Sequence, residues 1–209
     1  MIRRHALMLA FAAALSPALP ALALDRALTP EEQQLIAEVN AHNSAIRTMV
    51  GRFLQIDTNG GRSEGTFFLE RPDKITFRYA PPSREEIVSQ GRGFYVLDRR
   101  EETYYAYPQD SIPLRQFLGN TIDLLNANVV DVIVSDGYLS VTVIDNTVAG
   151  TVQVSLIFDV ETKDLAQWTL IEPSGSELTF SLYDVQKDVQ IPPAFFSIPS
   201  TYRSREPGR

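Results

Sequence analysis

Residues 63–71, SEGTFFLER, and residues 74–80, KITFRYA, change character at every step. In the first stretch Gly65, Phe67, Leu69 and Arg71 fall on one face and Thr66, Phe68 and Glu70 on the other. In the second, Ile75, Phe77 and Tyr79 oppose Lys74, Thr76 and Arg78. Successive side chains of a strand point to opposite faces, so a period of two marks both stretches as β-strands. Arg71-Pro72-Asp73 supplies the turn between them. Two rows of bulky apolar side chains are therefore expected on the same face of two adjacent antiparallel strands, with Arg71 at the end of one row.

The same period runs outward from these strands. It begins at Met49 and returns over residues 86–90, 94–98, 103–107, 129–134, 138–144, 151–158, 165–171 and 178–185, about ten or eleven strands in all. Asn59-Gly60-Gly61, Asp136-Gly137 and Pro173-Ser174-Gly175 are turn sequences between them. Short turns require antiparallel neighbours, because parallel ones need long crossovers. Two helical patterns interrupt the strands. Thr29-Pro30-Glu31-Glu32 reads as an N-cap, a first-turn proline and a capping box. Leu35, Ile36, Val39, Ile46 and Val50 follow at helical spacing, which predicts a helix over residues 30–48. Residues 113–126 carry Leu114, Phe117, Leu118, Ile122 and Leu125 and predict a second helical segment broken at Gly119. The chain reads as mainly β, either an incomplete antiparallel barrel with helices over its open side or a two-sheet sandwich with helices outside.

Residues 1–23 stand apart. Arg3 and Arg4 precede an apolar run, Pro17 and Pro20 break it, and Ala21-Leu22-Ala23 ends it in the manner of a secretory signal cut after Ala23. A single domain over residues 24–209 is expected to remain. Losing Arg3 and Arg4, and no acid, leaves 17 basic against 26 acidic residues and takes the formal charge from −7 to −9. Such a chain lacks the clustered cations that nucleic acid demands. With no Cys it has no disulfide, no thiolate nucleophile, no Cys-type zinc site and no cysteine to carry a lipid anchor.

Catalytic patterns are not found. After the leader the only histidine is His42, and there is no HExxH, nucleophile elbow, P-loop or dinucleotide fingerprint. Glu85-Glu86 and Glu101-Glu102 are sequence neighbours, which point apart on a strand. The reading is of a non-enzyme without cofactor or metal. A curved sheet with Phe67, Leu69, Ile75, Phe77 and Tyr79 on its concave face, covered by thin helices, is a natural apolar pocket.

Phe53-x-Gln55, Gly65-x-Phe67-x-Leu69-x-Arg71-Pro72, Ile75-x-Phe77-x-Tyr79 and Ile87-Val88-Ser89-Gln90-Gly91, with Pro113-Leu114-Arg115-Gln116-Phe117-Leu118 and Phe196-x-Ile198-Pro199, occur in order along the chain. Together they resemble the periplasmic outer-membrane lipoprotein carrier proteins (LolA-type) of Gram-negative bacteria. The resemblance implies an incomplete antiparallel barrel with a helical lid over an acyl-chain cavity. It implies a monomeric periplasmic carrier of acylated lipoproteins, loaded by an inner-membrane ABC-type releasing transporter and unloaded at an outer-membrane receptor. It implies that Arg71 latches the lid, that Phe67, Leu69, Ile75, Phe77 and Tyr79 line the cavity, and that Leu35, Ile36, Val39, Ile46, Leu114, Phe117, Leu118 and Ile122 belong to the lid. The sequence departs from the family where Asn43 replaces a lid leucine, leaving Val39 or Ile46 to serve, where Phe77 replaces a frequent tryptophan, and where Gln90-Gly91 replaces Asp-Gly. A sensor domain of the same fold, and more distantly a periplasmic hydrolase, are the alternative readings.

Overall fold

The computed structural model describes residues 24, 26–91, 93–109, 115–147 and 150–205; the expected leader lies outside them. Helix α1 (Pro30–Ala45) starts as its sequence dictates. The Thr29 hydroxyl accepts from the Glu32 amide at 3.2 Å, and the Glu32 carboxylate accepts from the Thr29 amide at 2.9 Å. The helix stops at Ala45 rather than at residue 48. Ile46 turns to extended backbone, and Thr48 already pairs with the next strands.

Six strands follow as one meander: β1 (Thr48–Asp57), β2 (Arg62–Glu70), β3 (Lys74–Tyr79), β4 (Glu85–Gln90), β5 (Gly93–Asp98) and β6 (Thr103–Pro108). Five more form a second: β7 (Val129–Ser135), β8 (Tyr138–Thr147), β9 (Gly150–Asp159), β10 (Leu165–Ile171) and β11 (Glu177–Lys187). Antiparallel pairing of β1 with β11 fuses the two meanders. A short strand that the sequence pattern does not reveal, β12 (Arg203–Arg205), lies parallel to β6. The result is one twelve-stranded sheet in the order β12-β6-β5-β4-β3-β2-β1-β11-β10-β9-β8-β7. Its two end strands do not pair with each other, so it is an open, incomplete barrel and not a sandwich. Asp136 and Gly137 both take positive φ, 53° and 82°, as a two-residue hairpin turn between right-twisted strands requires.

The expected helix over residues 113–126 is, among the described residues, a single 3-10 turn at Arg115–Leu118 followed by irregular chain as far as β7. Tertiary bonds take the place of helical ones there. The Ile122 amide donates to the Ser44 hydroxyl at 2.8 Å and the Leu124 amide to the Asn40 side chain at 3.1 Å. Both acceptors stand on α1.

The concave face carries two cores. Under α1, Ile36 and Val39 pack with Leu139, Val141, Leu156 and Phe158, and Phe117, Ile122 and Leu124 complete the cluster. Beside it, Ile46 and Leu118 join Met49, Phe53, Phe67, Leu69, Phe77, Tyr79 and Phe180. The opposite face of β2–β4 is closed by a C-terminal 3-10 turn, Pro193–Phe196. Phe195 stacks on Phe68 at 4.3 Å, and its carbonyl accepts from the Thr76 hydroxyl at 2.8 Å.

Two strand glycines make room for rings on the concave face. A Cβ on Gly51 would stand 2.7 Å from the Phe67 ring, and one on Gly65 would meet the Arg78 carbonyl at 2.2 Å and the Phe53 ring at 2.8 Å. Glycine inside a strand marks such close approach.

Candidate functional site: an apolar cavity and its arginine

The register sets Leu69 opposite Ile75 and Phe67 opposite Phe77, with Met49 beside Leu69 on β1 and Ile87 beside Phe77 on β4. Phe94 of β5 extends this wall. The facing wall comes from the second meander: Leu165, Trp168 and Leu170 of β10 and Leu178, Phe180 and Leu182 of β11. Phe117 and Leu118 cover the space between. These side chains enclose a cavity of about 210 Å³ whose lining residues are Met, Phe, Leu, Ile and Trp alone. Its middle is an aromatic cluster in which Trp168 stacks on Phe180 at 4.8 Å and Phe77 meets both, at 6.0 and 5.6 Å.

Of the residues singled out from the sequence, Phe67, Leu69, Ile75 and Phe77 line this cavity together, and Phe117 and Leu118 close it. Tyr79 is not in the lining. It packs edge-on to Phe53 at 5.1 Å and donates its hydroxyl to the Gln55 side chain. Burial, and then the charge of Glu85, pushes its ionisation well above the usual tyrosine range. Leu35, Ile36 and Val39 lie over the β7–β10 half and do not line the cavity, and Ile122 joins them there from irregular chain. Ile46, the C-cap of α1, is the helix-end residue that reaches the cavity side. Leu114 lies outside the described residues. Asn43 is buried and donates to the carbonyls of Val39 at 2.9 Å and Lys163 at 2.8 Å, tying the last turn of α1 to the β9–β10 turn. His42 adds a second tie, 2.6 Å from Asp164, which Lys187 also binds.

Arg71, just beyond β2, is 3% exposed. Its Nε donates to the Phe117 carbonyl at 3.2 Å and its Nη1 to the Ile46 carbonyl at 2.9 Å. The guanidinium carbon lies 5.7 Å from the centre of the Phe117 ring. Backbone bonds reinforce the junction, with the Arg71 amide donating to the Arg47 carbonyl and the Asp73 amide to the Leu118 carbonyl, each at 2.9 Å. One side chain thus joins the end of a cavity strand to both covering segments. Burial, followed by the nearby cation Arg47, holds its pKa down at about 10. The physical cause is that a charge removed from water without a counter-charge is disfavoured.

Alternation within β10 and β11 could have revealed the second wall, since Trp168 and Leu170, and Leu178, Phe180 and Leu182, each recur at period two. The β9–β10 ladder slips between Leu165 and Gln167, and it is this slip that brings Leu165, of opposite parity, to the same face. The buried pair Gln109 and Ser89 was also beyond reach: Gln109 donates to the Ser89 hydroxyl at 2.8 Å and to the Asp73 carbonyl at 2.9 Å, contacts between remote segments.

A family model described as outer membrane lipoprotein carrier protein LolA matches residues 44–199. An outer-membrane lipoprotein carrier protein of Alkalilimnicola ehrlichii is 33% identical over 87 residues, which cover 38% of this chain and 41% of that protein. One from Cupriavidus taiwanensis is 27% identical over 87 residues, with the same coverage of 38% and 41%. The chain therefore spans 41% of the length of these curated relatives. Among solved structures, an uncharacterised conserved protein of Thermus thermophilus superposes with a TM-score of 0.50 at 5% identity, over 84% of this chain and 99% of that one. That is a likeness of fold alone.

Proposed function

The chain belongs to the outer membrane lipoprotein carrier (LolA) family, and from that premise we propose that it is a periplasmic carrier for the acyl chains of lipoproteins. Residues 1–23 serve as its export signal and residues 24–209 as a single carrier domain. It works as a monomer between an inner-membrane ABC-type releasing transporter and an outer-membrane receptor. The observation that carries this reading is the wholly apolar lining of the cavity, closed by segments that Arg71 holds in place.

Energetics support a carrier. Moving one CH₂ into water costs ~0.8 kcal/mol, so a single sixteen-carbon chain resists release by roughly 12 kcal/mol. An apolar interior removes that barrier. The cavity of about 210 Å³ is smaller than the roughly 300–1,000 Å³ of ordinary small-molecule pockets. Loading therefore needs the lining to give way, and in this reading Phe117 and Leu118 move aside and the bonds from Arg71 break. The arginine then favours the empty, shut state and weakens the loaded one, which a protein that must let go of its cargo needs. Among the described residues no helix is long and apolar enough to cross a membrane.

The test is a saturable, environment-sensitive apolar dye bound to the mature protein. Acylated lipoprotein should displace it and the deacylated form should not; equal behaviour of the two forms would remove the reading. In the host, depletion should leave lipoproteins at the inner membrane.

A further inference from the structure

A guanidinium carries five N–H donors, and in Arg71 the two bonds to Ile46 and Phe117 leave Nη2 with none. That nitrogen is buried and has no acceptor among the described residues. Buried charges are as a rule paired as well as hydrogen-bonded. Among the described residues Arg71 forms no ion pair. Its charged neighbour is a second cation, Arg47, which donates to the Arg71 carbonyl at 3.4 Å and to the Asn120 side chain at 2.9 Å. The place is therefore positive and short of an acceptor.

It also adjoins the cavity, although Arg71 itself is not one of the lining residues. Leu69, two residues before Arg71, lines the cavity, as does Phe117, whose carbonyl and ring both meet the guanidinium. A purely hydrocarbon occupant would fill the space and leave Nη2 as it is. An acyl chain brings an oxygen at its head, and that oxygen is the missing partner.

We infer that Nη2 of Arg71 receives the head-end oxygen of a bound acyl chain, so that the cavity selects an acyl carboxylate or ester carbonyl and not an alkyl tail alone. This rests on the reading that the cavity takes acyl chains. The same contact draws the guanidinium away from the Ile46 and Phe117 carbonyls, which couples recognition of the head to release of the cover.

The test uses mature wild-type protein loaded with the apolar dye and four competitors sharing one twelve-carbon tail: dodecanoate, 1-dodecanoylglycerol, dodecanol and dodecyltrimethylammonium, the last having no acceptor. Dodecanoate or the ester should displace the dye at a concentration lower by about tenfold or more than dodecyltrimethylammonium, the size of a charged hydrogen bond. Dodecanol, with a weaker acceptor, should fall between. A carboxylate clearly ahead of the ester identifies a free fatty acid as the occupant, and an ester level with it or ahead identifies a lipid-modified chain. In Arg71→Met the ratio should collapse toward one. Displacement by all four within about threefold in the wild type would overturn head recognition and leave the cavity reading standing. Displacement by none would remove both, and a ratio that persists in Arg71→Met would assign the preference to another group.

Discussion

Nη1 of Arg71 donates to the carbonyl of Ile46 across 2.9 Å, joining the end of a cavity strand to the C-cap of the covering helix. That carbonyl belongs to a helix end, where partial negative charge accumulates and a cation is favourable. Arg71→Leu removes this donor and the one to Phe117, so the shut, empty state loses about 1.5–3 kcal/mol for each charged hydrogen bond. The variant should load acyl cargo and hand it on more slowly than wild type by about tenfold or more. A reconstituted transfer from carrier to receptor measures this. Delivery at the wild-type rate would show that the arginine is no latch.

Trp168 is the sole tryptophan of the chain and lies in the cavity wall against Phe180. Its emission should therefore shift as an acyl ligand saturates the protein, with the same midpoint as dye displacement. Unchanged emission at full displacement would place the ligand elsewhere.

Gly51→Ala tests the packing that shapes the wall. The new methyl would stand 2.7 Å from one Phe67 ring carbon and 3.1 Å from Val185. Overpacking of this kind costs about 1–3 kcal/mol, seen as a lower urea midpoint at unchanged slope. Trimming the ring with Phe67→Leu should make the glycine change less harmful in the double variant than alone. Simple additivity would count against the clash.

The start of α1 should be sensitive to acid. The hydrogen bond from Arg26, and then that from the Thr29 amide, hold the Glu32 carboxyl down at about 2, against an ordinary 4.5. A depressed carboxylate contributes stability that is fully present above the unfolded value and lost as pH falls through the folded one. The difference in Tm between wild type and Glu32→Gln should thus be constant above 4.5 and vanish as pH falls to about 2. Arg26 is half-exposed, so the effect should be small and shrink with salt. A difference that does not change across that window would contradict the assignment.

Much of the concave wall was legible. The alternation around Phe67 and Phe77 predicts which side chains share a face, the capping box predicts where α1 begins, and Asp136-Gly137 predicts its hairpin. The second helix was not, because the spacing of Phe117, Leu118, Ile122 and Leu125 suits a helix while Ser44 and Asn40 offer its amides other acceptors. Leu125 is in fact exposed. Asn43 looked like a gap in the apolar row of α1. Its partner, the Lys163 carbonyl, is remote in sequence and could not be seen.

By itself the sequence determined eleven of the twelve strands, most of their turns and the shared face of Phe67, Leu69, Ile75 and Phe77, since side-chain alternation along a strand is a local property of the backbone. Only the tertiary structure decided that β1 pairs with β11. That pairing brings Trp168 and Phe180 across from Phe77, turning two apolar faces into one cavity. It also decided that Arg71 ends buried beneath Ile46 and Phe117 with one nitrogen unmatched. Burial and hydrogen-bond partnership depend on segments far apart in the chain, and no local pattern encodes them.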